Sequence, residues 1–321
     1  MQFISTLKPA WRLALAGGLL GGLGVLALAG GPATARPTPA PDARLAARRA
    51  LGHLLFFEPA LSANGKRSCA SCHRPEKAFC DQRSRARALR FADNLDRNSP
   101  TLLNAAGQAT FFHDGRAGSL RAVLTAVLTS PREFGSTYAQ ATARLGGSAE
   151  YRRRFRQAFG AGAAIDSTTL AAALEAWVST LAGQNAAYDQ AQRGGPALDT
   201  AAQAGVRVFA AAGCARCHAG PLFRDGRRYE VRPGRWIKTP TLRNVALTMP
   251  YGADGNYATL ASALRSPFHA RQQAQPLTDG QTARLEALLV ALTDTVVGRS
   301  AVPARLPRVP GLEGRAVGGL Y

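Results

Sequence analysis

Cys69-Ala70-Ser71-Cys72-His73 and Cys214-Ala215-Arg216-Cys217-His218 are one pentapeptide pattern written twice, and they decide how the rest of the chain is read. Two thiols three positions apart can each add across one vinyl group of a single porphyrin. The histidine after them is then held beneath the iron. Either pattern alone could also be a thioredoxin-like redox pair or half of a zinc site. With only five Cys and five His in 321 residues, a chance histidine after both pairs is a poor account. The pattern therefore points to two covalent c-type haems, one on Cys69, Cys72 and His73, the other on Cys214, Cys217 and His218.

Toward the N-terminus, Lys8 and Arg12 precede an apolar run from Leu13 to Gly30, and Ala33-Thr34-Ala35 offers a small-x-small cleavage site. That order reads as a cleaved Sec signal peptide over residues 1–35, which places the mature chain in the periplasm, where c-type haem is attached. A membrane anchor is the competing reading, because the run is about long enough to span a bilayer. Residues 36–41 are a Pro- and Ala-rich linker.

The chain carries 40 Lys and Arg against 20 Asp and Glu, a formal charge of +20, or +18 once Lys8 and Arg12 leave with the signal. Nearly all of it is Arg. Solvated faces are the plain explanation; steering of an acidic partner and pairing with haem propionates are the functional ones. Nucleic acid is not an expected partner of an exported haem protein.

Helical periodicity dominates the remainder. Leu45, Leu51, Leu54 and Leu55 predict a helix closed by Pro59, and Leu120, Val123, Leu124, Val127 and Leu128 another closed by Pro131. Tyr151, Phe155 and Phe159 repeat every four residues. Asp166 or Ser167 caps a helix whose buried face includes Leu170, Leu174, Trp177 and Leu181, with Trp177 read as packing. A short helix through Val206 and Phe209 leads to the second motif. Thr278 with Gln281 makes a capping box for the last long helix. Strand signals are few. Cys80 stands alone and reads as a passive thiol. The fold class is mostly α, with two haem-bearing halves that do not otherwise repeat clearly.

Leu51-Gly52-x-x-Leu55-Phe56-Phe57, Arg97-Asn98-Ser99-Pro100-Thr101-Leu102-Leu103-Asn104, Phe112-His113-Asp114-Gly115-Arg116 and Lys238-Thr239-Pro240-Thr241-Leu242-Arg243-Asn244 resemble the bacterial diheme cytochrome c peroxidases, a family that includes the MauG-type enzymes. Pro250-Tyr251 and Asp254-Gly255 add to the resemblance, which runs from about Leu51 to the final helix. It implies two cytochrome c-like haem domains packed with an interdomain interface: a peroxidatic domain over 42–182 and an electron-transfer domain over 183–321. It implies hydrogen peroxide as substrate and a small donor protein of the cytochrome c or cupredoxin type. The family often forms homodimers. A calcium ion between the domains would be held at Asn98, Thr248 and Pro250, through oxygens that suit a hard cation. Glu133 falls at the position of the family's distal acid, where a carboxylate moves the proton that peroxide cleavage requires.

The departures matter as much. No His lies between His73 and His113, so the first haem is expected to be five-coordinate at rest, without the loop histidine that blocks many family members. The family's tryptophan before Asp-Gly-Arg is His113, and the glutamine of the next helix is Val123. The position of the second haem's Met or Tyr ligand is Pro267. His269 is then the substitute ligand, ahead of Met249 and Tyr251. Ala253 and Ala212 replace a histidine at the usual electron input and a MauG-type tryptophan. The sequence thus predicts a periplasmic diheme peroxidase. A MauG-like oxidase of a protein or organic substrate and a non-catalytic diheme carrier are the alternatives.

Overall fold

The computed structural model describes residues 41–273, 275–294 and 301–320. The expected signal peptide (1–35) and linker residues 36–40 lie outside them. Among the described residues no helix is long and apolar enough to cross a membrane.

Helix α1 (Pro41–Phe56) buries Leu51, Leu54, Leu55 and Phe56. It ends where Glu58 turns out of the helix and accepts from Ala60 N at 2.8 Å. Around it pack α2 (Leu120–Thr129), α3 (Tyr138–Gly147), α4 (Ala149–Phe159) and α5 (Ser167–Val178), closing a first apolar core with Phe79, Leu128, Leu145, Tyr151, Phe155 and Trp177. A second core, smaller, gathers Phe209, Phe223, Leu285, Leu288, Leu289 and Leu292. Its elements are α6 (Ala187–Gln192), α7 (Thr200–Ala211), strands β1 (Arg228–Arg232) and β2 (Arg235–Lys238), α8 (Leu260–Leu264), α9 (Pro267–Gln272) and α10 (Asp279–Ala291).

Each core is organised by one helix crossing at a glycine. A Cβ on Gly52 would stand 1.9 Å from the Ala173 carbonyl of α5, and one on Gly205 of α7 only 2.1 Å from the Arg284 carbonyl of α10. Backbones so close admit no side chain.

The two halves repeat more deeply than the sequence suggested. Pro100-Thr101-Leu102-Leu103-Asn104 and Pro240-Thr241-Leu242-Arg243-Asn244 fold alike. Thr101 Oγ1 donates to Ala78 O and Thr241 Oγ1 to Leu222 O, each at 2.6 Å. Asn104 and Asn244 both take the left-handed region, at φ +57° and +60°, and accept on Oδ1 from Gly183 N and Asp294 N. Further along each half, the bridges Phe111–Ala117 and Tyr251–Tyr257 enclose His113-Asp114-Gly115 and Ala253-Asp254-Gly255. Ser119 then caps α2 as Thr259 caps α8. From Pro100 to Ser119 the offset is a constant 140 residues (104 to 244, 119 to 259), against 145 between the two Cys-x-x-Cys-His motifs. Pro-Thr-Leu-x-Asn and Asp-Gly recur in both copies, so the kinship lies in the residues that build the turns, while most side chains between them differ.

Three elements carried little sequence signal. α3 buries only Ala141 and Leu145; α6 spans six residues; and the β1–β2 hairpin, with Arg228 opposite Lys238, is mostly arginine-flanked and half exposed. The C-terminal segment is a further departure. Residues 301–320, placed by the sequence with the second half, pack on the first core through Leu306, Val309, Leu312 and Val317. Arg315 pairs there with the buried Glu58 at 2.5 and 2.8 Å, and Tyr151 OH donates to the same carboxylate at 2.6 Å. Gly318 O accepts from Ser68 and Ser71, so the segment clasps the first Cys-x-x-Cys loop.

The halves meet along the Asp-Gly turns. Asn98 N donates to Ala253 O at 3.1 Å, Lys238 N to His113 O at 2.8 Å and Arg224 Nη1 to Asn104 O at 3.4 Å.

Candidate haem sites

Both pentapeptides fold as the same tight turn. His73 N donates to Cys69 O at 2.9 Å and His218 N to Cys214 O at 3.0 Å. All four thiols of the motifs are unbridged. Burial pushes Cys69 up to about 12 and Cys72 up to about 11, which marks apolar surroundings suited to a porphyrin edge. Each histidine is fixed by one backbone carbonyl. His73 Nδ1 donates to Phe79 O at 3.0 Å and His218 Nδ1 to Phe223 O at 3.1 Å. That leaves each Nε2 as a free acceptor, the arrangement a metal-bound imidazole requires. Phe79 and Phe223 sit at φ +56° and +50° to aim those carbonyls, a conformation an aromatic residue adopts only when its surroundings impose it. Burial lowers both imidazoles, His218 to about 4, so they are neutral donors at neutral pH. The residues present fit two c-type haems.

Glu133 lies on the turn after α2, held by its own N–H to Ser130 O at 3.1 Å. It is half-buried, not an isolated surface acid. Burial raises its carboxyl, and a hydrogen bond from Ser130 with the charges of Arg116, Arg132 and Arg67 pulls part of the way back. Its charge is felt at Cys72 of the first motif.

His269, near the start of α9, donates from Nδ1 to Ala263 O at 2.8 Å, which again leaves Nε2 free. Its charge adds to burial in lowering His218. Pro267 occupies the first turn of α9, where its missing N–H costs nothing. Met249 is 48% exposed, and Tyr251 is buried within reach of Glu286 and Cys80.

Asn98 Nδ2 donates to Pro250 O at 3.2 Å and Gly252 O at 2.9 Å, while Asn98 Oδ1 is buried without a partner among the described residues. A half-turn of the amide would put three oxygens around one point, which suits a hard cation. The Thr248 hydroxyl donates to Val245 O at 3.0 Å. Among the described residues no cluster of three or more His, Cys, Asp or Glu is placed to hold a metal ion. His113 lies at the junction of the halves with Nε2 on Asn98 O at 3.1 Å, and burial lowers it to about 4. Cys80 is buried, and that burial pushes its thiol up to about 11, as befits an inert residue.

Sequence reasoning missed Ser99, whose hydroxyl donates to Cys72 O at 2.8 Å and lies 3.3 Å from His73 Nδ1. It also missed Arg67, 2% exposed two residues before Cys69. A buried arginine inside an otherwise polar loop carries no periodic signal.

Known proteins share this arrangement. A sequence model described as "Di-haem cytochrome c peroxidase" matches residues 46–197. The methylamine utilization protein MauG of Methylorubrum extorquens is 33% identical, covering 67% of this chain and 67% of its own. The cytochrome c551 peroxidase of Nitrosomonas europaea is 30% identical, covering 76% and 79%. Among solved structures, a MauG-like protein associated with microbial copper homeostasis superposes with a TM-score of 0.72 at 25% identity, over 84% of this chain and 96% of that one. A chain with two haem-ready motifs on this frame, and relatives of both kinds, belongs to the di-haem cytochrome c peroxidase family, MauG-type proteins included, and is an oxidoreductase of the peroxidase type.

Proposed function

We propose that this protein is a periplasmic peroxidase that reduces hydrogen peroxide to water with electrons from a small redox protein. The observation that carries the reading is Glu133: a partly desolvated carboxyl with a raised pKa, beside a Cys-x-x-Cys-His motif that has no second histidine near it in sequence. A haem on His73 supplies the site where peroxide is activated; a haem on His218 supplies the second reducing equivalent. Glu133 takes a proton from the near oxygen of peroxide and gives it to the far oxygen, so that water leaves when the O–O bond breaks. Two electrons from the donor and two protons from solvent complete the conversion of peroxide to two waters.

The chain is best divided into a peroxidatic domain over 42–182 that also takes residues 301–320, and an electron-transfer domain over 183–294. His269 would join His218 in holding the iron of the second haem, a reading supported by its free Nε2 and its charge effect on His218. The electron donor is a cytochrome c or cupredoxin. Calcium binds Asn98 and Pro250 if the amide turns, and the enzyme works as a homodimer.

Peroxide turnover of the purified holoprotein tests the main claim, together with EPR of its oxidised form. One high-spin and one low-spin haem are expected. Glu133→Gln should slow turnover by about 10²- to 10⁴-fold, the range for loss of a positioned acid–base group. A variant as active as the parent removes Glu133 from the reaction. Slow turnover with a long-lived oxidised state identifies a MauG-like oxidase, and two low-spin haems identify a carrier.

A further inference from the structure

Arg67 is 2% exposed, yet among the described residues its guanidinium meets no carboxylate. Nη2 donates to Arg87 O and, at 2.5 Å, to Ala88 O; the Phe91 ring lies 4.5 Å from Cζ. Nη1 is buried with no partner among the described residues. A buried cation with a free donor strongly destabilises a fold unless an anion occupies the space it faces. The backbone that carries it is held as well. Its own N–H donates to Ser62 Oγ at 3.1 Å, and its backbone pairs with Gly319 of the C-terminal segment.

The contacts around it converge on Glu133. Leu89, next to the carbonyls that hold the guanidinium, donates from N to Arg132 O at 2.6 Å. Ala63, next to Ser62, donates to Phe134 O at 2.8 Å. Leu89 and Ala63, each next to a residue that Arg67 contacts, are thus bonded to both chain neighbours of the acid, and the charge of Arg67 interacts with Cys72, Asp81 and Glu133. A haem held by Cys69 and Cys72 would carry its propionates on the edge away from those thioethers, so Arg67, whose charge acts on Cys72, would not be placed to pair with them.

We propose that Arg67 is a second catalytic residue of the peroxide pocket, its free Nη1 donating to the anionic oxygen of the substrate bound beside Glu133. This rests on the peroxidase reading above. When the O–O bond breaks heterolytically, its electron pair moves to the far oxygen. Arg67 stabilises that charge while Glu133 delivers the proton taken from the near oxygen, and water leaves.

Fluoride binding to the oxidised holoprotein, followed optically, tests this without turnover. Arg67→Gln should weaken fluoride by about ten- to hundredfold, the worth of one charge-assisted hydrogen bond. Neutral imidazole should bind as it does to the parent. Unchanged fluoride affinity overturns the proposal. Should Arg67→Gln fail to take up haem, Arg67→Lys serves: it keeps the buried charge but loses the fork. Its fluoride affinity should drop several-fold with imidazole unaffected, and parental fluoride affinity is again fatal. A parent that binds no fluoride because its first haem is already six-coordinate overturns both this inference and the peroxidase reading. A parent that binds fluoride equally with or without Arg67 overturns the inference alone.

Discussion

The two halves share a frame and part company beyond their Asp-Gly turns. In the first, Ser119 caps a ten-residue helix, and the turn after it presents Glu133. In the second, Thr259 caps a helix of only five residues, after which Ser266 caps a new one carrying His269. Equivalent stretches of chain thus offer a carboxylate beside one haem motif and an imidazole beside the other. On the proposed reading, the first site would move protons at an open iron and the second would gain a further nitrogen ligand. The difference lies in the length of one helix, while the turns that hold His73 and His218 are the same. Division of labour here comes from segment length on a repeated scaffold.

His269→Ala breaks the comparison most sharply. The second haem should change outright from low-spin to high-spin in EPR, while the signal of the first stays as it was. Added imidazole should restore the low-spin form. A low-spin signal that survives the substitution would return Met249 or Tyr251 as the ligand.

Each half also has one buried arginine–carboxylate pair, and these give the next largest effect. Arg315 holds Glu58 in the first, and Arg243 holds Asp189 through two bonds of 2.6 Å in the second. Removing one member leaves the other charged and buried, which costs about 3–5 kcal/mol. Arg315→Met should lower the melting of the first half and Asp189→Asn that of the second. Calorimetry decides whether they unfold separately: two resolved transitions, each moved by one variant, mean two cooperative units. A single transition moved equally by both means one.

The glycine crossings come third. Gly52→Ala and Gly205→Ala each force a Cβ to within about 2 Å of a carbonyl. Each should destabilise by roughly 1–3 kcal/mol as the helices part. Parental melting of either variant would mean that its crossing can open without loss.

Much of this was legible in the residues. The Leu51–Phe57 helix, the Asp166 cap and the Thr278–Gln281 box were all marked by periodicity and by capping chemistry that acts locally. The motif histidines announced themselves for the same reason: their chemistry is written within five residues. The 140-residue repeat was legible only in part: Pro-Thr-Leu-x-Asn at Pro100 and Pro240 and Asp-Gly at Asp114 and Asp254 recur, but the left-handed turns at Asn104 and Asn244 have no periodic signal of their own. The C-terminal segment was misplaced because it has little periodicity. Its destination is set by Glu58, more than 250 residues away. Arg67 escaped notice because in sequence it is one arginine among many; only its burial and its unused donor distinguish it.

The smallest effect tests the electrostatics of the first half against those of the second. Burial raises the Glu133 carboxyl, so the folded state holds this proton more tightly than the unfolded chain does. Its contribution to stability is therefore present at low pH and is lost as pH rises through the folded value. Its contribution to catalysis runs the other way, because a base must first be a carboxylate, and turnover should fall on the acid side. Arg132 is half exposed and opposes the rise. Arg132→Gln should move the acid limb of kcat/KM upward by about a few tenths of a pH unit, the scale of a screened surface charge. Added salt should shrink the difference between variant and parent. Arg232→Gln, which removes an arginine paired with Asp254 in the second half, should leave the limb where it is. A limb that moves with Arg232 and not with Arg132 would place the controlling carboxylate in the other half of the molecule.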